Sequence, residues 1–345
     1  MILVNTPGDW SHVYSILLHA DWNGLTLADF VFPFFLFIVG ISISFVYKSK
    51  QISSFTLKKI GIRSLRLILL GLFLNAFLPY PPFIEEINTI RLPGVLQRIG
   101  VVFFIASILY LTLNKKQLFL VTILILIVYW VWLSYIPLPN GQLPSLERAP
   151  NNWANFVDYK LLKGHIWKSD YDPEGILSTL PSIATTLIGI CIGTILLSPS
   201  KRNQLLLLIS GISLLLLGYL WSRLFPINKA LWSSSFVLVT SGYATILLYI
   251  VHYFMDHKGL KFGSTIKQVG ANAIVIYFLS SFIAKSFYLI KADSKTPVHQ
   301  YLYETFFVSS SINASLSSLL YAVSVTGFYI LLAYLLHRKN IFIKV

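Results

Sequence analysis

The sequence predicts an all-α, polytopic transmembrane helical bundle that forms one domain over residues 1–345. Three observations predict it: the composition, the length of the uncharged runs and the placement of lysine and arginine. Hydrophobic residues make up 56% of the chain and aromatic residues 15%, whereas Asp, Glu, Lys and Arg make up 12%, roughly half the charged share of a soluble domain. Twenty-seven basic and 13 acidic side chains cannot cover the surface of a soluble fold this long. With a mean hydropathy of +0.72, the chain belongs in a bilayer. A secreted domain, a cytosolic enzyme and a disordered tail are excluded. The single cysteine, Cys191, excludes a disulfide framework and a thiolate metal cluster, and reads as a small apolar filler in a helix. The net charge of +14 sits in short loops between apolar runs, a pattern of membrane topology and lipid contact, so no nucleic acid is expected as a partner.

Uncharged runs occupy 30–47, 67–84, 99–114, 117–146, 175–200, 203–222, 230–255, 268–284 and 305–337. Each is near or above the ~20 residues a helix needs to cross the hydrocarbon once flanking residues are included. The expectation is therefore nine full spans. A transmembrane β-barrel would show short alternating segments instead of continuous runs. Ahead of the first span, Met1-Ile-Leu-Val reads as the last turn of a helix whose beginning is missing, through truncation or a late start. It has neither the charged region nor the cleavage site of a signal peptide.

The connections alternate in charge. One set holds Lys48, Lys50, Lys58, Lys59, Arg63, Arg66, Lys115, Lys116, Lys201, Arg202, Lys258, Lys261, Lys267, Arg338, Lys339 and Lys344, with Asp256 as its one acid. The other holds 11 basic and 12 acidic residues. The positive-inside rule makes the first set cytoplasmic, together with the C-terminus. Residues 1–29 and the long connection 137–174 then face outward. That connection is rich in proline at its start and then in aromatics (Trp153, Tyr159, Trp167, Tyr171), which reads as an ordered lid that stacks on a sugar.

Four constellations could carry chemistry. Residues 5–29 gather Asn5, Asp9, His12, His19, Asp21, Asn23 and Asp29 just outside a span. Polar groups there are costly unless paired or used; the plain alternative is a hydrated loop with Thr26 or Asp29 capping the next helix. His12 and His19 lie seven apart and lack metal-ligand spacing, so no metal is expected, but one imidazole suffices for acid-base work. In RLPGVLQRIG, Pro93 and Gly94 suit a helix start, with Gln97 and Arg98 a turn inside it. Arg98 must there pair structurally or clamp an anion. In YDPEGILSTLP, Asp172 reads as an N-cap with Pro173 at the first helical position, which leaves Glu174 less explained. In GANAIVIY, Asn272 sits inside a span, and Lys285 beyond it can snorkel to the outer surface. From the residues alone, an enzyme and an amino-sugar transporter both fit, although the internal repeat common in transporters is absent.

These motifs resemble a known family. The string NTPGDW, followed by LLHADWNGLTLADFVFPFFLFIVGISIS, is similar to the catalytic domain of heparan-α-glucosaminide N-acetyltransferases, which also has bacterial, NagX-like members. RLPGVLQRIG, YDPEGILSTLPSIATTLIGICIG, FPINKALWSSSFVLVTSG and GANAIVIYFLS look like its later signatures in the right order, so the resemblance covers about residues 1–281. It departs at the front, where the family carries an arginine-rich start and most of a first helix. The resemblance implies a transmembrane acetyltransferase of the bacterial inner membrane, moving acetyl from cytosolic acetyl-CoA to the amine of glucosamine, or of a glycan's terminal glucosamine, on the outward side. It places the active histidine on His19 and its partner asparagine on Asn5. Arg98 and Gln97 fall on the coenzyme-facing helix, with Arg63, Arg66 and Asn272 as further contacts to acetyl-CoA. Asp29, Trp22, Asn23, Asp172 and Glu174 are the expected sugar-binding set. The lipid bilayer and a second copy of the chain, in a homodimer, are the remaining expected partners.

Overall fold

The computed structural model describes all residues except 49–51, 198–199, 261–262 and 344–345, and the side chains of Lys201 and His257. Lys50, Lys261 and Lys344 of the basic set lie outside the described residues. In chain order the helices are α1 (Ile2–Asn5), α2 (Leu27–Val46), α3 (Ser54–Ala76), α4 (Val95–Thr112), α5 (Lys115–Tyr135), α6 (Trp153–Leu162), α7 (Ile176–Leu196), α8 (Lys201–Trp221), α9 (Ser234–His252), α10 (Ser264–Ala271), α11 (Ala273–Leu289), α12 (Val298–Phe306) and α13 (Ala314–Arg338). Among the described residues there is no strand, only isolated bridges.

Helices begin where side chains can satisfy the free N–H groups of a first turn. Thr26 and Asp29 form a reciprocal capping box at α2, and Asn114 and Gln117 form another at α5. Ser53, Ser200, Ser233 and Asn313 cap α3, α8, α9 and α13. The expected cap at Asp172 is not used that way. Helix α7 starts later, at Ile176, and its first N–H donates to Asp158 Oδ1 of α6 at 2.8 Å.

Among the described residues, seven helices (α2, α4, α5, α7, α8, α9 and α13) are long and apolar enough to cross a bilayer, and α10 with α11 qualifies as a pair bent by 75°. That accounts for seven or eight of the nine expected full spans. The run 67–84 is only half helix: α3 ends at Ala76, and the chain turns back so that Phe77 and Ile84 bridge. The first half of α3 carries Lys58, Lys59, Arg63 and Arg66, and those four charges keep it from meeting the composition of a span. The Lys285 ammonium donates to the terminal α3 carbonyls of Leu74 (3.2 Å) and Asn75 (2.8 Å) and pairs with Glu85 at 2.8 Å.

Helix α7 is the centre, packed against α2, α4, α5 and α9, with Ala184, Leu187 and Ile190 fully buried. Lipid is as apolar as a leucine side chain, so close backbone approach must supply the attraction between spans. Here α2 and α7 approach through glycine: a Cβ on Gly189 would lie 2.1 Å from the Phe37 carbonyl oxygen, and one on Gly40 would lie 2.1 Å from that of Thr186. The Thr186 hydroxyl donates to the Leu36 carbonyl across the same seam at 3.1 Å. At the end of the bundle where α2 begins, the N-terminal segment is strapped to α12 and α13. His299 Nε2 lies 3.0 Å from the Pro7 carbonyl oxygen, and the Asp9 N–H donates to Ser318 Oγ at 3.0 Å.

Two outcomes follow from this packing. Gly189→Leu forces α2 and α7 apart, and overpacking of this kind costs about 1–3 kcal/mol or more; folded yield and thermal midpoint in detergent should both drop, whereas Gly61→Leu, which meets open space, should not lower them. The second concerns Asp158, whose carboxyl is pushed up to about 7 by burial, the nearby Asp172 charge adding to the effect. Between the ordinary value of 3.8 and about 7 the folded state binds more protons than the unfolded one, so stability falls as pH rises through that window. Asp158→Asn keeps an acceptor for the Ile176 N–H and carries no charge. It should flatten that part of the profile of thermal midpoint against pH, and an unchanged slope would contradict the assignment.

Candidate functional site

A cavity of about 480 Å³ opens at the end of the bundle where α2, α4 and α7 begin. Its wall is drawn from five parts of the sequence: Asn5 and Trp10 of the N-terminal segment, residues 17–22, Arg91, then Trp167, Tyr171 and Glu174, and Lys229. Of the expected site residues, His19, Asn5, Trp22 and Glu174 are in this wall.

His19 is presented by the loop into α2. Its Nδ1 lies 2.8 Å from Asp29 Oδ1, and the Asp29 side chain is 1% exposed while that of His19 is 46% exposed. Asp29 Oδ2 also accepts from the N–H groups of Ala20 (3.2 Å) and Thr26 (3.0 Å). A carboxylate bound to Nδ1 fixes that nitrogen as the donor and leaves the Nε2 lone pair as the acceptor. Asp29, expected as a sugar contact, therefore holds the histidine and caps the helix.

Lys229 completes the arrangement from the turn between α8 and α9. Its Nζ lies 3.0 Å from both His19 ring nitrogens and 3.6 Å from Asp29 Oδ1. Burial pushes the Lys229 ammonium below the ordinary lysine range, and Asp29 opposes this only in part. The two loops are stitched together. Asn23 and Asn228 form an antiparallel bridge, the Gly24 N–H donates to the Ile227 carbonyl at 2.8 Å, and Asn228 Nδ2 donates to Asn23 Oδ1 at 3.1 Å. Gly24 has a φ of 127°, which a side-chain-bearing residue rarely adopts. Asn23, expected on the sugar, spends its amide on this stitch and on Glu147 at 3.2 Å.

The opposite wall is an ion cluster. Arg91 forks onto Asp172, with Nε to Oδ2 at 2.8 Å and Nη2 to Oδ1 at 2.6 Å, and also reaches Glu174. The arginine is partly buried, which lowers its basicity, yet the two acids hold it above the ordinary guanidinium range. Asp172 further accepts from the N–H groups of Trp167 and Glu174. Its side chain is wholly buried, so it organises the wall and does not face the cavity. Trp22 donates to the Leu146 carbonyl at 2.9 Å and meets Tyr171 edge-on at 5.4 Å. Tyr171 in turn lies under the Arg148 guanidinium at 4.6 Å, which pairs with Asp170. The long connection thus supplies two cavity aromatics, Trp167 and Tyr171. Trp153 is an interior anchor, bonded to the Ile136 carbonyl, and Tyr159 is exposed.

The expected donor-side residues are placed elsewhere. Arg98 lies one turn inside α4, 2% exposed. Its Nη2 donates to the Gly175 carbonyl at 3.0 Å and to Ser178, and its guanidinium sits 5.1 Å from the Trp232 ring centroid. Among the described residues, Arg98 Nε and Nη1 and Gln97 Nε2 have no hydrogen-bond partner. Arg63 lies 4.8 Å from the Phe103 ring centroid, and both Arg63 and Arg66 are exposed along α3. Asn272 sits at the break between α10 and α11, and both ends of its amide bond the C-terminal segment, at Ile341 O and Ile343 N, each 3.1 Å. These bonds use one of the two amide N–H groups and one oxygen lone pair. Sequence reasoning gave no role to Arg91 or Trp10. The spacing of RLPG was the one signal for Arg91, and only the fold carries Trp10 to the wall.

A family model described as heparan-alpha-glucosaminide N-acetyltransferase, catalytic, matches residues 1–217. Two curated relatives align with the whole chain: the human heparan-alpha-glucosaminide N-acetyltransferase, 30% identical over 406 residues, and its mouse counterpart, 28% identical over 403 residues. The chain spans 58% of the length of each. With more than half of its residues in the matched model, including the loop that joins His19 to Asp29, the chain belongs to the heparan-alpha-glucosaminide N-acetyltransferase catalytic family.

Proposed function

We propose that the protein is an integral membrane N-acetyltransferase that moves acetyl from acetyl-CoA to the amine of a glucosamine-like sugar. One observation carries the reading: His19 is fixed through Nδ1 by buried Asp29 and lines an aromatic-walled cavity. Amide formation needs a neutral amine to attack the thioester carbon. His19 Nε2 takes the amine proton, and Asn5, on the same wall, orients the amine or donates to the developing oxyanion. The faces of Trp10, Trp22, Trp167 and Tyr171 suit a sugar ring, and Glu174 and Asp21 draw a cationic amine into the cavity. The connection 137–174 then acts as a lid.

The donor comes from the basic end. Gln97 packs against Gly71 of α3, five and eight residues along from Arg66 and Arg63, which is about 7–12 Å at the helical rise. A pantetheine arm bridges that distance, with the two arginines on the phosphates and the unpartnered N–H groups of Gln97 and Arg98 near the thioester end. By the positive-inside rule this end is cytoplasmic and the sugar cavity is outward.

The test is acetylation by purified protein in sealed, oriented vesicles, with labelled acetyl-CoA on the basic side and glucosamine on the other. His19→Ala should lower turnover ~10²- to 10⁴-fold, and Asn5→Ala by a smaller factor of up to ~10³. His12 pairs with Asp9 at 2.6 Å, away from the cavity wall, so His12→Ala should stay near wild type. Sugar uptake without acetylation, or full activity of His19→Ala, would overturn the reading.

A further inference from the structure

Lys229 stands in a turn built to hold it. The Ser233 N–H donates to the Asn228 carbonyl (3.0 Å), the Asn228 N–H to Ser233 Oγ (3.0 Å), and the Leu231 N–H to Asn228 Oδ1 (2.8 Å). Trp232 closes the turn with a φ of 52°, a strained conformation for a residue with a side chain. Its wholly buried indole donates to Thr185 Oγ1 at 3.0 Å. Strain of this kind persists only where the surroundings over-determine it, and here its effect is to fix the direction of Lys229.

Charge pairing alone does not explain the lysine. Asp29 already accepts from Ala20, Thr26 and His19, so its carboxylate is satisfied without an ammonium. The Lys229 ammonium lies closer to the imidazole, at 3.0 Å from each ring nitrogen, than to Asp29 at 3.6 Å. With Nδ1 donating to Asp29, the ring's one lone pair is on Nε2. An ammonium equidistant from both ring nitrogens lies against the ring and off the axis of that lone pair, which leaves Nε2 open to the amine proton. Lys229 also lines the cavity, so its N–H groups stand beside His19, within reach of the carbonyl that the amine attacks.

We propose that Lys229 is a second catalytic group of the acetyl transfer, donating an N–H to the thioester carbonyl oxygen as charge develops on it. The proposal rests on the acetyltransferase reading above. As the amine nitrogen bonds to the carbonyl carbon, the C=O π pair moves onto oxygen, where Lys229 holds it, and His19 Nε2 takes the amine proton. The carbonyl then re-forms and the C–S bond breaks. Sulfur leaves with the electron pair and takes the proton from His19. Amine and thioester become amide and thiol, and Lys229 keeps its proton throughout. Burial, which favours loss of that proton, makes the ammonium a better hydrogen-bond donor than an exposed lysine.

The experiment compares Lys229→Met with Lys229→Cys alkylated by 2-bromoethylamine, both in a Cys191→Ala background, using acetyl-CoA and glucosamine. Lys229→Met should lower kcat by about 10²- to 10³-fold, with acetyl-CoA affinity and the KM for glucosamine within about threefold. The groups facing Lys229 are His19, Asp29, Glu174 and Arg98. Removing the positive charge favours the imidazolium, so the acidic limb of kcat/KM should move to higher pH. Alkylation restores an ammonium at the same reach and should recover at least about tenfold of the lost rate. A merely structural lysine gives a different result: Lys229→Met folds less well, but its kcat per folded molecule stays within about threefold of wild type, and that outcome overturns the proposal alone. A wild-type protein that transfers no acetyl overturns both the proposal and the reading beneath it.

Discussion

The buried carboxylate of Asp29 is the constraint on which the site depends. It lies in the first turn of α2, where a charge without partners would carry a large desolvation cost. Its oxygens are met by two backbone N–H groups, the His19 ring and, slightly farther off, Lys229. One interaction therefore starts the first long span, closes the loop that precedes it and fixes the ring tautomer of His19. Moving the imidazole would mean re-registering the helix. A chemically active group is thereby held as rigidly as the bundle itself.

The rest of the molecule extends that rigidity. Helix α7 meets α2 through glycine contacts with almost no slack, and its first turn is capped by Asp158 from α6. The outer connection is thus tied to the central helix. Across the cavity, Arg91 binds two acids from the segment just before α7, and the Asn23–Asn228 stitch joins the His19 loop to the Lys229 turn. Each wall is anchored to a different helix start. Helix N-termini cluster at this end, which favours negative charge nearby, and Asp29, Asp158, Asp172 and Glu174 gather there.

Much of this was legible in the sequence because membrane helices announce themselves by length and charge. The helix cap at Thr26 or Asp29 and the helix start at Gly94 are local, and local spacing reveals them, whereas the pairing of His19 with Asp29 emerges only from the fold. The second run failed because hydropathy continues through residues 77–84 while the backbone turns. The N-cap at Asp172 failed because a carboxyl group from α6, remote in sequence, took the position, and the partners of Lys285 were hidden because they belong to another helix. The triangle of His19, Asp29 and Lys229 joins residues 210 apart in sequence. Neither composition nor period encodes that contact; only the packing of α9 against α2 and the stitch between the two loops create it.

The central claim is that Asp29 makes His19 the base of an acetyl transfer. Asp29→Asn preserves size and most hydrogen bonds while removing the charge and the preference for a proton on Nδ1, so it isolates that claim. The measurement is kcat for acetyl transfer from acetyl-CoA to glucosamine, alongside acetyl-CoA affinity and thermal midpoint. The account predicts a fall in kcat on the order of 10³- to 10⁴-fold, as for carboxylates that orient a catalytic histidine, with acetyl-CoA affinity nearly unchanged. A folded Asp29→Asn protein that binds acetyl-CoA and turns over within a few-fold of wild type would contradict it.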